Sequence, residues 1–341
     1  MRQLMTNTTD NIPPPCQVFD LICGTSTGGL IAVLLGRLGL DCLTAMSVYR
    51  ELVTAFFEEV DGKTKDGTAG NEGIFPGAFE EKLATIVEKY TGDKDAPMKI
   101  SKSRLDKVDH SSADTFVTVV QSTAGAAGVE PYRVRSYTKP PRGVESVVGR
   151  DWTICEVIRA ATALPGYVKP VDIESQSFQD AALSGSANPV WAAISEVELR
   201  WSKKCEPLMI SLGTGLVSLL SSDSDEELSD QDGKPLGITG SQPPRGVLSS
   251  STFSKQLLGV ARDTELAHRR AKECFRDMNL AHNYFRFDPT GGLGDICASD
   301  VTQVPRITAL TNAWLRTPEG YEETTGAFRA LKVHPSIPCV G

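Results

Sequence analysis

The stretch LICGTSTGGLIAVLLG, residues 21–36, sets a serine in a glycine-rich turn between two apolar runs. The segment 16–23 is short and apolar, which predicts a buried strand. Residues 27–38 carry Leu or Ile on nearly every helical face, which predicts a helix buried on all sides. The turn itself, GTSTG at 24–28, has the G-x-S-x-G pattern, whose small residues allow a sharp bend that projects a serine hydroxyl at the carboxyl edge of a sheet. The stretch therefore predicts a nucleophilic serine, Ser26.

The residues around this serine have predicted roles of their own. Gly24 and Gly28 allow the backbone to bend, and Thr27 opens the helix, where its N–H can face a developing oxyanion. No Gly-Lys-Ser or Gly-Lys-Thr follows the glycines, which argues against a phosphate-binding loop. The alternative is a glycine-rich turn with an idle serine. The strand before the turn and the helix after it favour the catalytic interpretation.

A serine nucleophile needs a base, and the segment SFQDAALSGSANPVWAA, residues 177–193, offers one. Its strand-like start ends at Asp180, small residues follow, and Asn188-Pro189 opens a predicted helix. Catalytic side chains of open α/β sheets lie in such loops at strand ends. Asp180 could accept the serine proton directly, provided that burial or hydrogen bonding adjusts its basicity. The alternative is an Asp180 that only caps the turn.

The four histidines stand in no motif of their own. They are His110 in a polar loop, His268 in a charged helix, His282 before a strand and His334 near the C-terminus. We expect surface or structural roles for them.

The rest of the chain alternates between strand and helix patterns. Helices are predicted at about 42–59, 77–90, 153–165 and 254–278, the third opened by a capping box from Thr153 to Glu156. Strands are predicted at 114–122, 131–137, 207–215 and 284–288, and the second of them alternates as a half-exposed strand does. This alternation predicts an α/β sandwich with a mostly parallel central sheet.

Composition and charge restrict the function. The 341 residues are 40% hydrophobic, with 35 basic and 43 acidic residues and a formal charge of −8. Six of the acidic residues lie within 221–232, so the remainder of the chain is nearly neutral. No basic face is expected, and we predict no nucleic-acid partner. Residues 218–250, rich in Ser, Asp, Pro and Gly, are predicted to form a flexible acidic insertion.

The spacing of the cysteines and the length of the apolar runs bear on where the protein is located. The eight cysteines include no Cys-x-x-Cys pair, a usage that favours a reducing environment over a disulfide framework. The longest apolar run, residues 30–40, is too short to span a bilayer and contains Arg37. The first 15 residues lack a hydrophobic signal region. We expect a cytoplasmic protein, or one peripheral on membranes.

Three segments resemble those of a known family. VFDLICGTSTGGLIAVLLGRLGL, residues 18–40, resembles the nucleophile segment of patatin-like phospholipases, especially the fungal calcium-independent type. FQDAALSGSANPV, residues 178–190, is similar to the family's aspartate segment, usually Asp-Gly-Gly or Asp-Gly-Ala followed by a Leu and Asn-Pro. ATALPGYVKPV, residues 161–171, resembles the stretch that precedes it.

The resemblance implies a fold and a chemistry. The fold would be a three-layer α/β/α sandwich, and the activity that of a lipid acyl hydrolase acting on fatty-acyl esters of phospholipids or related glycerolipids. Ser26 would be the nucleophile that forms an acyl-enzyme, and Asp180 the general base and then the acid. No cofactor, metal, calcium ion or catalytic histidine would be required. The substrate would be met at a membrane surface.

The sequence departs from the family pattern at two places. Family members begin with a strand and a loop Asp-Gly-Gly-Gly-x-Arg-Gly that completes the oxyanion hole, and nothing in residues 1–23 resembles it. We therefore expect one patatin-like domain over 1–341 that lacks this strand and loop. Since one oxyanion donor is worth ~10²–10³ in turnover, its activity is expected to be impaired. In addition, Ala181-Ala182 replace the usual glycines after Asp180.

Two other functions fit the same sequence. One is a catalytically silent relative that only binds lipid or a partner. The other is an ordinary α/β-hydrolase esterase with a triad, for which the order Ser26, Asp180, then His268 or His282 fits.

Overall fold

The computed structural model describes residues 12–65, 74–100, 113–122, 131–138, 149–165, 168–201, 205–215, 264–294, 296 and 300–333. The predicted acidic insertion at 218–250, the start of the helix predicted from 254, His110 and His334 lie outside the described residues. The chain divides into two compact units: among the described residues, the first includes those up to Pro207 and those from Thr264 to Cys274, and the second includes 208–215 and those from Phe275 onward. The expectation of a single patatin-like domain over 1–341 stays a prediction.

The first unit holds a sheet of five strands with helices around it. The strands are β1 (Leu21–Thr25), β2 (Asp114–Gln121), β3 (Tyr132–Arg135), β4 (Val171–Ile173) and β5 (Gln176–Asp180). The helices are α1 (Thr27–Ala32, continued by a wider π turn at Val33–Arg37), α2 (Cys42–Lys65), α3 (Gly77–Thr91), α4 (Ile154–Ala161) and α5 (Val190–Arg200).

Helix α6 (Glu265–Asp277) begins in the first unit and ends in the second. The second unit also contains β6 (Met209–Leu212), β7 (Tyr284–Phe287), α7 (Val304–Trp314) and α8 (Pro318–Val333). Strands β6 and β7 pair in parallel, at positions close to the two predicted strands. Aromatic contacts join the rings of Phe275 and Tyr284, 5.4 Å apart, and of Phe287 and Trp314, 6.2 Å apart.

The sheet of the first unit combines a parallel part with an antiparallel edge. Strand β1 pairs with β2 in parallel, from Leu21 opposite Asp114 to Thr25 opposite Thr118. Strands β3 and β5 pair with β2 antiparallel, and β4 pairs with β5 antiparallel. Only two residues separate β4 from β5, and so short a connection joins antiparallel strands alone. The predicted α/β class is confirmed, with parallel pairing at β1–β2 and β6–β7 and antiparallel pairing at β2–β3, β2–β5 and β4–β5.

Helices cover both faces of this sheet. Successive residues of a strand point to opposite faces. On one face Val117 of β2 lies so close to α1 that a Cβ added to Gly29 would be 2.6 Å from its Cγ1. On the other face Asp114 of β2 forms an ion pair with Arg200 of α5. The first unit is therefore an α/β/α sandwich of three layers.

The apolar core lies between the sheet and helices α1 to α4. Its most deeply buried side chains include Leu30, Leu34, Leu52, Phe79, Leu83, Ile154, Ile158 and Phe178. The ring of Trp152 packs edge-on against that of Phe178 at 4.7 Å. Helix α3 buries Phe79, Leu83, Ile86 and Val87 at helical spacing. The predicted capping box is also present, with Thr153 and Glu156 exchanging side-chain and main-chain hydrogen bonds at the start of α4.

Two local predictions around α1 need correction. The first strand was expected over 16–23 but begins at Leu21, because Pro15 instead opens a short 3₁₀ turn for which its fixed φ is suited. Helix α1 was expected to be buried on all sides, yet Ile31 is 37% exposed. Arg37, the last residue of the π turn, is buried, and its guanidinium donates to the carbonyls of Met98 and Pro97.

A buried ion cluster ties α5 to the sheet, and it corrects the prediction for β3. Glu196 of α5 accepts hydrogen bonds from Arg135 at 2.7 Å, Tyr137 at 2.7 Å and Arg133 at 3.2 Å. The side chain of Glu196 is fully buried, and those of Arg133 and Arg135 are only 6% and 10% exposed. Arg133 and Arg135 are the polar positions of this strand that were expected at the surface. They face α5 instead, where the Glu196 carboxylate accepts their hydrogen bonds.

The electrostatics of the cluster set a pH dependence. Burial alone would raise the pKa of Glu196, but the hydrogen bonds from Arg135 and Tyr137 outweigh it and leave the pKa below its ordinary value. A carboxylate whose pKa is lower in the folded than in the unfolded state stabilises the fold above the unfolded pKa. That contribution disappears as the pH falls through the folded pKa.

We expect Glu196→Gln to lower the free energy of unfolding by about 3–5 kcal/mol at pH 7, because it removes the buried carboxylate that the guanidinium groups of Arg133 and Arg135 both contact. The difference from the unmodified protein should shrink as the pH falls below about 4.3, where the unfolded glutamate becomes protonated. Urea unfolding at pH 7 and at lower pH measures both. The control is Glu198→Gln, an exposed position on the same helix. Equal effects of the two variants at pH 7 would contradict the assignment.

Candidate active site

Ser26 occupies a strained position between strand and helix. Strand β1 ends at Thr25, α1 begins at Thr27, and Ser26 between them has φ 58° and ψ −134°. Residues other than glycine rarely adopt a positive φ, and such strain is concentrated at functional sites. The predicted strand–turn–helix arrangement of a nucleophile elbow is therefore present, with the serine at its apex.

Two glycines are sterically required at this turn: Gly24, which the motif predicted, and Gly29, which follows the predicted Gly28. A Cβ on Gly24 would overlap the carbonyl group of Gly28, so position 24 requires glycine. A Cβ on Gly28 would meet nothing within 4 Å. The second steric requirement lies at Gly29, where α1 touches Val117 of the sheet. The sequence contains this signal in its second consecutive glycine, but identifying it requires the partner strand.

Asp180 contacts the serine directly. It is the last residue of β5 and is only 1% exposed. The Ser26 hydroxyl donates to Asp180 Oδ2 at 2.6 Å, and the main-chain N–H of Ala182 donates to Oδ1 at 2.8 Å. Oδ1 thus caps the turn, as the alternative role of Asp180 required, while Oδ2 accepts the serine hydrogen bond. The carboxylate is oriented from both sides.

The register of the sheet explains this meeting. Thr25 pairs with Thr118 in the parallel ladder, so Ser26 follows at the level of the next residue of β2, Val119. Asp180 pairs with Val119 in the antiparallel ladder. Strand β2 therefore brings both residues to the same level, although 154 positions separate them in the sequence.

Main-chain groups at the start of α1 lie next to the serine. The first carbonyl of the helix, that of Ser26, accepts from Gly29 at 2.8 Å and from Leu30 at 3.4 Å. The N–H groups of Thr27 and Gly28 precede these bonds, and the first N–H groups of a helix have no carbonyl partner inside it. This is the position predicted for the oxyanion donor at Thr27.

Comparison with known proteins adds the family. The sequence model described as Patatin-like phospholipase matches residues 12–194, more than half of the chain, and this range includes Ser26 and Asp180. The chain belongs to this family. The α/β/α layers of this patatin-like protein agree with the fold expected from its sequence.

Individual relatives are distant. The patatin-like chain is 22% identical over 244 residues to phospholipase A I of Arabidopsis thaliana, across 60% of the chain and 18% of that protein. It is 26% identical over 207 residues to calcium-independent phospholipase A2-gamma of Mus musculus, across 59% of the chain and 25% of that protein. The protein of the same name from Homo sapiens is 25% identical over 207 residues, across 59% of the chain and 24% of that protein. The chain thus spans a quarter or less of the relatives it matches.

The histidines of the triad alternative lie on other elements. His268 lies on α6 and is half-buried. His282 is exposed and lies in the second unit. In a Ser–His–Asp triad an imidazole stands between hydroxyl and carboxylate. Here the Ser26 hydroxyl is bonded to the carboxylate itself.

The cysteine nearest the site in sequence is chemically quiet. Burial, together with the nearby charge of Glu196, raises the pKa of the Cys23 thiol to about 12, against a smaller lowering by Arg133. Since only the thiolate is a good nucleophile, Cys23 does not compete with Ser26 at neutral pH. Cys16, Cys23, Cys42 and Cys155, all in the first unit, are free thiols.

A metal site needs several converging ligands, and a membrane span needs a long apolar helix. In the described ranges no three His, Cys, Asp or Glu side chains converge to hold a metal ion. No helix within those ranges combines the length and the apolar character needed to cross a bilayer.

We expect Gly24→Ala and Gly29→Ala to lower the free energy of unfolding by about 1–3 kcal/mol or more, since both force the strand and helix apart. Gly28→Ala should leave it unchanged or raise it by about 0.5–1 kcal/mol, because alanine in a helix loses less backbone entropy than glycine. Thermal unfolding followed by circular dichroism measures all three. A loss at Gly28 as large as at the other two would contradict the proposed packing.

Proposed function

We propose that this chain is a lipid acyl hydrolase that cleaves fatty-acyl esters of phospholipids or related glycerolipids with a Ser26–Asp180 dyad. The observation that carries the proposal is the 2.6 Å hydrogen bond between the hydroxyl and the buried carboxylate. The strained backbone of Ser26 and the membership of the patatin-like phospholipase family support it.

The first half-reaction forms an acyl-enzyme. Asp180 accepts the Ser26 proton as the serine oxygen attacks the carbonyl carbon of the ester, which creates a tetrahedral oxyanion. The N–H of Thr27 at the helix N-terminus stabilises this charge, while Gly24 and Gly28 belong to the turn that carries the serine. The tetrahedral intermediate then collapses, the bond to the alcohol oxygen breaks, and protonated Asp180 donates its proton to the leaving alcohol.

The second half-reaction releases the fatty acid. Asp180, again ionised, takes a proton from water as the water oxygen attacks the acyl carbon. The bond to Ser26 breaks, and its oxygen recovers the proton from Asp180. Each step uses only these two side chains, water and main-chain donors. The direct contact of hydroxyl and carboxylate favours this dyad over a triad.

The substrate class rests on the relatives. Phospholipase A I and calcium-independent phospholipase A2-gamma carry their activities in their names. We propose phospholipid presented at a membrane surface as the substrate, hydrolysed without calcium. No nucleic-acid partner or resident metal is part of this proposal.

The test measures release of fatty acid from phosphatidylcholine vesicles in the presence of EGTA, together with labelling by a fluorophosphonate probe. We expect Ser26→Ala to abolish both. Asp180→Asn should lower hydrolysis about 10²–10⁴-fold, the usual contribution of a general base. Asp151→Asn, at a side chain that is 59% exposed, is the control and should retain full activity.

Three results would overturn the proposal in different ways. Absence of labelling in the unmodified chain would contradict a reactive serine and favour the catalytically silent relative. Labelling that survives Ser26→Ala would mean another nucleophile. A hundredfold loss in His268→Ala or His282→Ala would replace the dyad with a triad.

A further inference from the structure

Two buried threonines connect the serine turn to the loop that follows the base. Thr25 is the residue before Ser26, and Thr118 is its partner in the parallel ladder of β1 and β2. Their exposed fractions are 6% and 0%. The Thr25 hydroxyl oxygen lies 2.7 Å from that of Thr118 and 2.8 Å from the main-chain carbonyl oxygen of Ser186.

The direction of these hydrogen bonds follows from counting protons. A carbonyl oxygen can only accept, so the single proton of the Thr25 hydroxyl goes to Ser186. Thr25 has then no proton left for its neighbour, and Thr118 must donate to Thr25. The bridge therefore runs from Thr118 through Thr25 to the Ser186 carbonyl, and each bond polarises the next.

The bridge spans a gap that main-chain pairing leaves open. The strand of the nucleophile, β1, and the strand of the base, β5, do not pair with each other, because β2 lies between them. Ser186 belongs to the segment 181–189, which follows Asp180 and leads into α5. Thr25 directly precedes the nucleophile, and its hydroxyl binds this segment at Ser186, six residues after the base.

We propose that Thr25 and Thr118 are positioning residues for the Ser26–Asp180 pair, which keep the loop after Asp180 at a fixed distance from the serine turn. This inference rests on the proposed function. A valine in place of Thr25 keeps the branched shape but leaves the Ser186 carbonyl without its donor. The loop then adjusts, and the serine–carboxylate distance changes with it.

The test compares steady-state kinetics of Thr25→Val and Thr25→Ser on a soluble short-chain ester. We expect Thr25→Val to lower kcat about 10–100-fold, since a displacement of about 1 Å at a reacting group has an effect of that order. KM should stay within about twofold of the unmodified value, because no substrate contact is removed. Thr25→Ser keeps the hydroxyl and should restore most of kcat.

The second threonine gives an independent measurement. Thr118→Val should lower kcat less than about tenfold, because Thr25 still donates to Ser186. The double variant should match Thr25→Val alone, since Thr118 acts only through Thr25. The matched control is Thr115→Val, a fully buried threonine on the same strand whose hydroxyl donates to the Ala113 carbonyl. It should leave kcat of the folded protein unchanged.

The outcomes separate this inference from the proposed function. If the Ser26-dependent activity is present and folded Thr25→Val has the kcat of the unmodified chain, the bridge has no positioning role. Failure of Thr25→Ser to restore kcat, or an equal loss in Thr115→Val, overturns it as well. If Thr25→Val does not fold, Thr25→Ala replaces it, with the same expectation. Activity that is independent of Ser26 overturns the proposed function and this inference together.

Discussion

The site depends on the contact between the Ser26 hydroxyl and the Asp180 carboxylate, and that contact depends on a backbone constraint. Ser26 holds a positive φ between the end of β1 and the start of α1, and in this conformation its hydroxyl reaches Asp180. The turn can close only because Gly24 has no Cβ to collide with the Gly28 carbonyl. Gly29 allows α1 to lie close to β2, so the position of the hydroxyl is fixed relative to the sheet.

Strand β2 serves as the common reference for both residues. The parallel ladder sets Ser26 at the level of Val119, and the antiparallel ladder sets Asp180 opposite the same residue. An aspartate at the far end of a long antiparallel strand would lie at the opposite edge of the sheet. Here β5 pairs with only the last three residues of β2, so its end stays beside the serine. The short, reversed strand is thus a requirement of the site.

Local features were predictable from the sequence, and long-range pairing was not. The serine turn, helix α3 and the capping box at Thr153 each depend on neighbours within a few residues, and the structure contains all three. Asp180 was identified from the strand that precedes it. The antiparallel edge depends on β5, and the burial of Arg133 depends on Glu196. Both partners lie far away in the sequence. No local pattern distinguishes a buried arginine with such a partner from an exposed one.

The segment that follows the base, residues 181–189, and the helix after it are attached to the sheet at two points. Near the middle of the segment the Ser186 carbonyl is bound by Thr25, and beyond its end Glu196 anchors α5 to β3. Both attachments use buried polar groups on the sheet face opposite α1. Replacing such groups by apolar ones is often neutral or stabilising, so stability alone does not account for them. Hydrogen bonds and ion pairs are directional, whereas apolar contacts tolerate sliding. The carboxylate must stay within hydrogen-bonding distance of the serine hydroxyl, and directional bonds hold the adjoining loop in one position. This explains physically why these polar groups are buried.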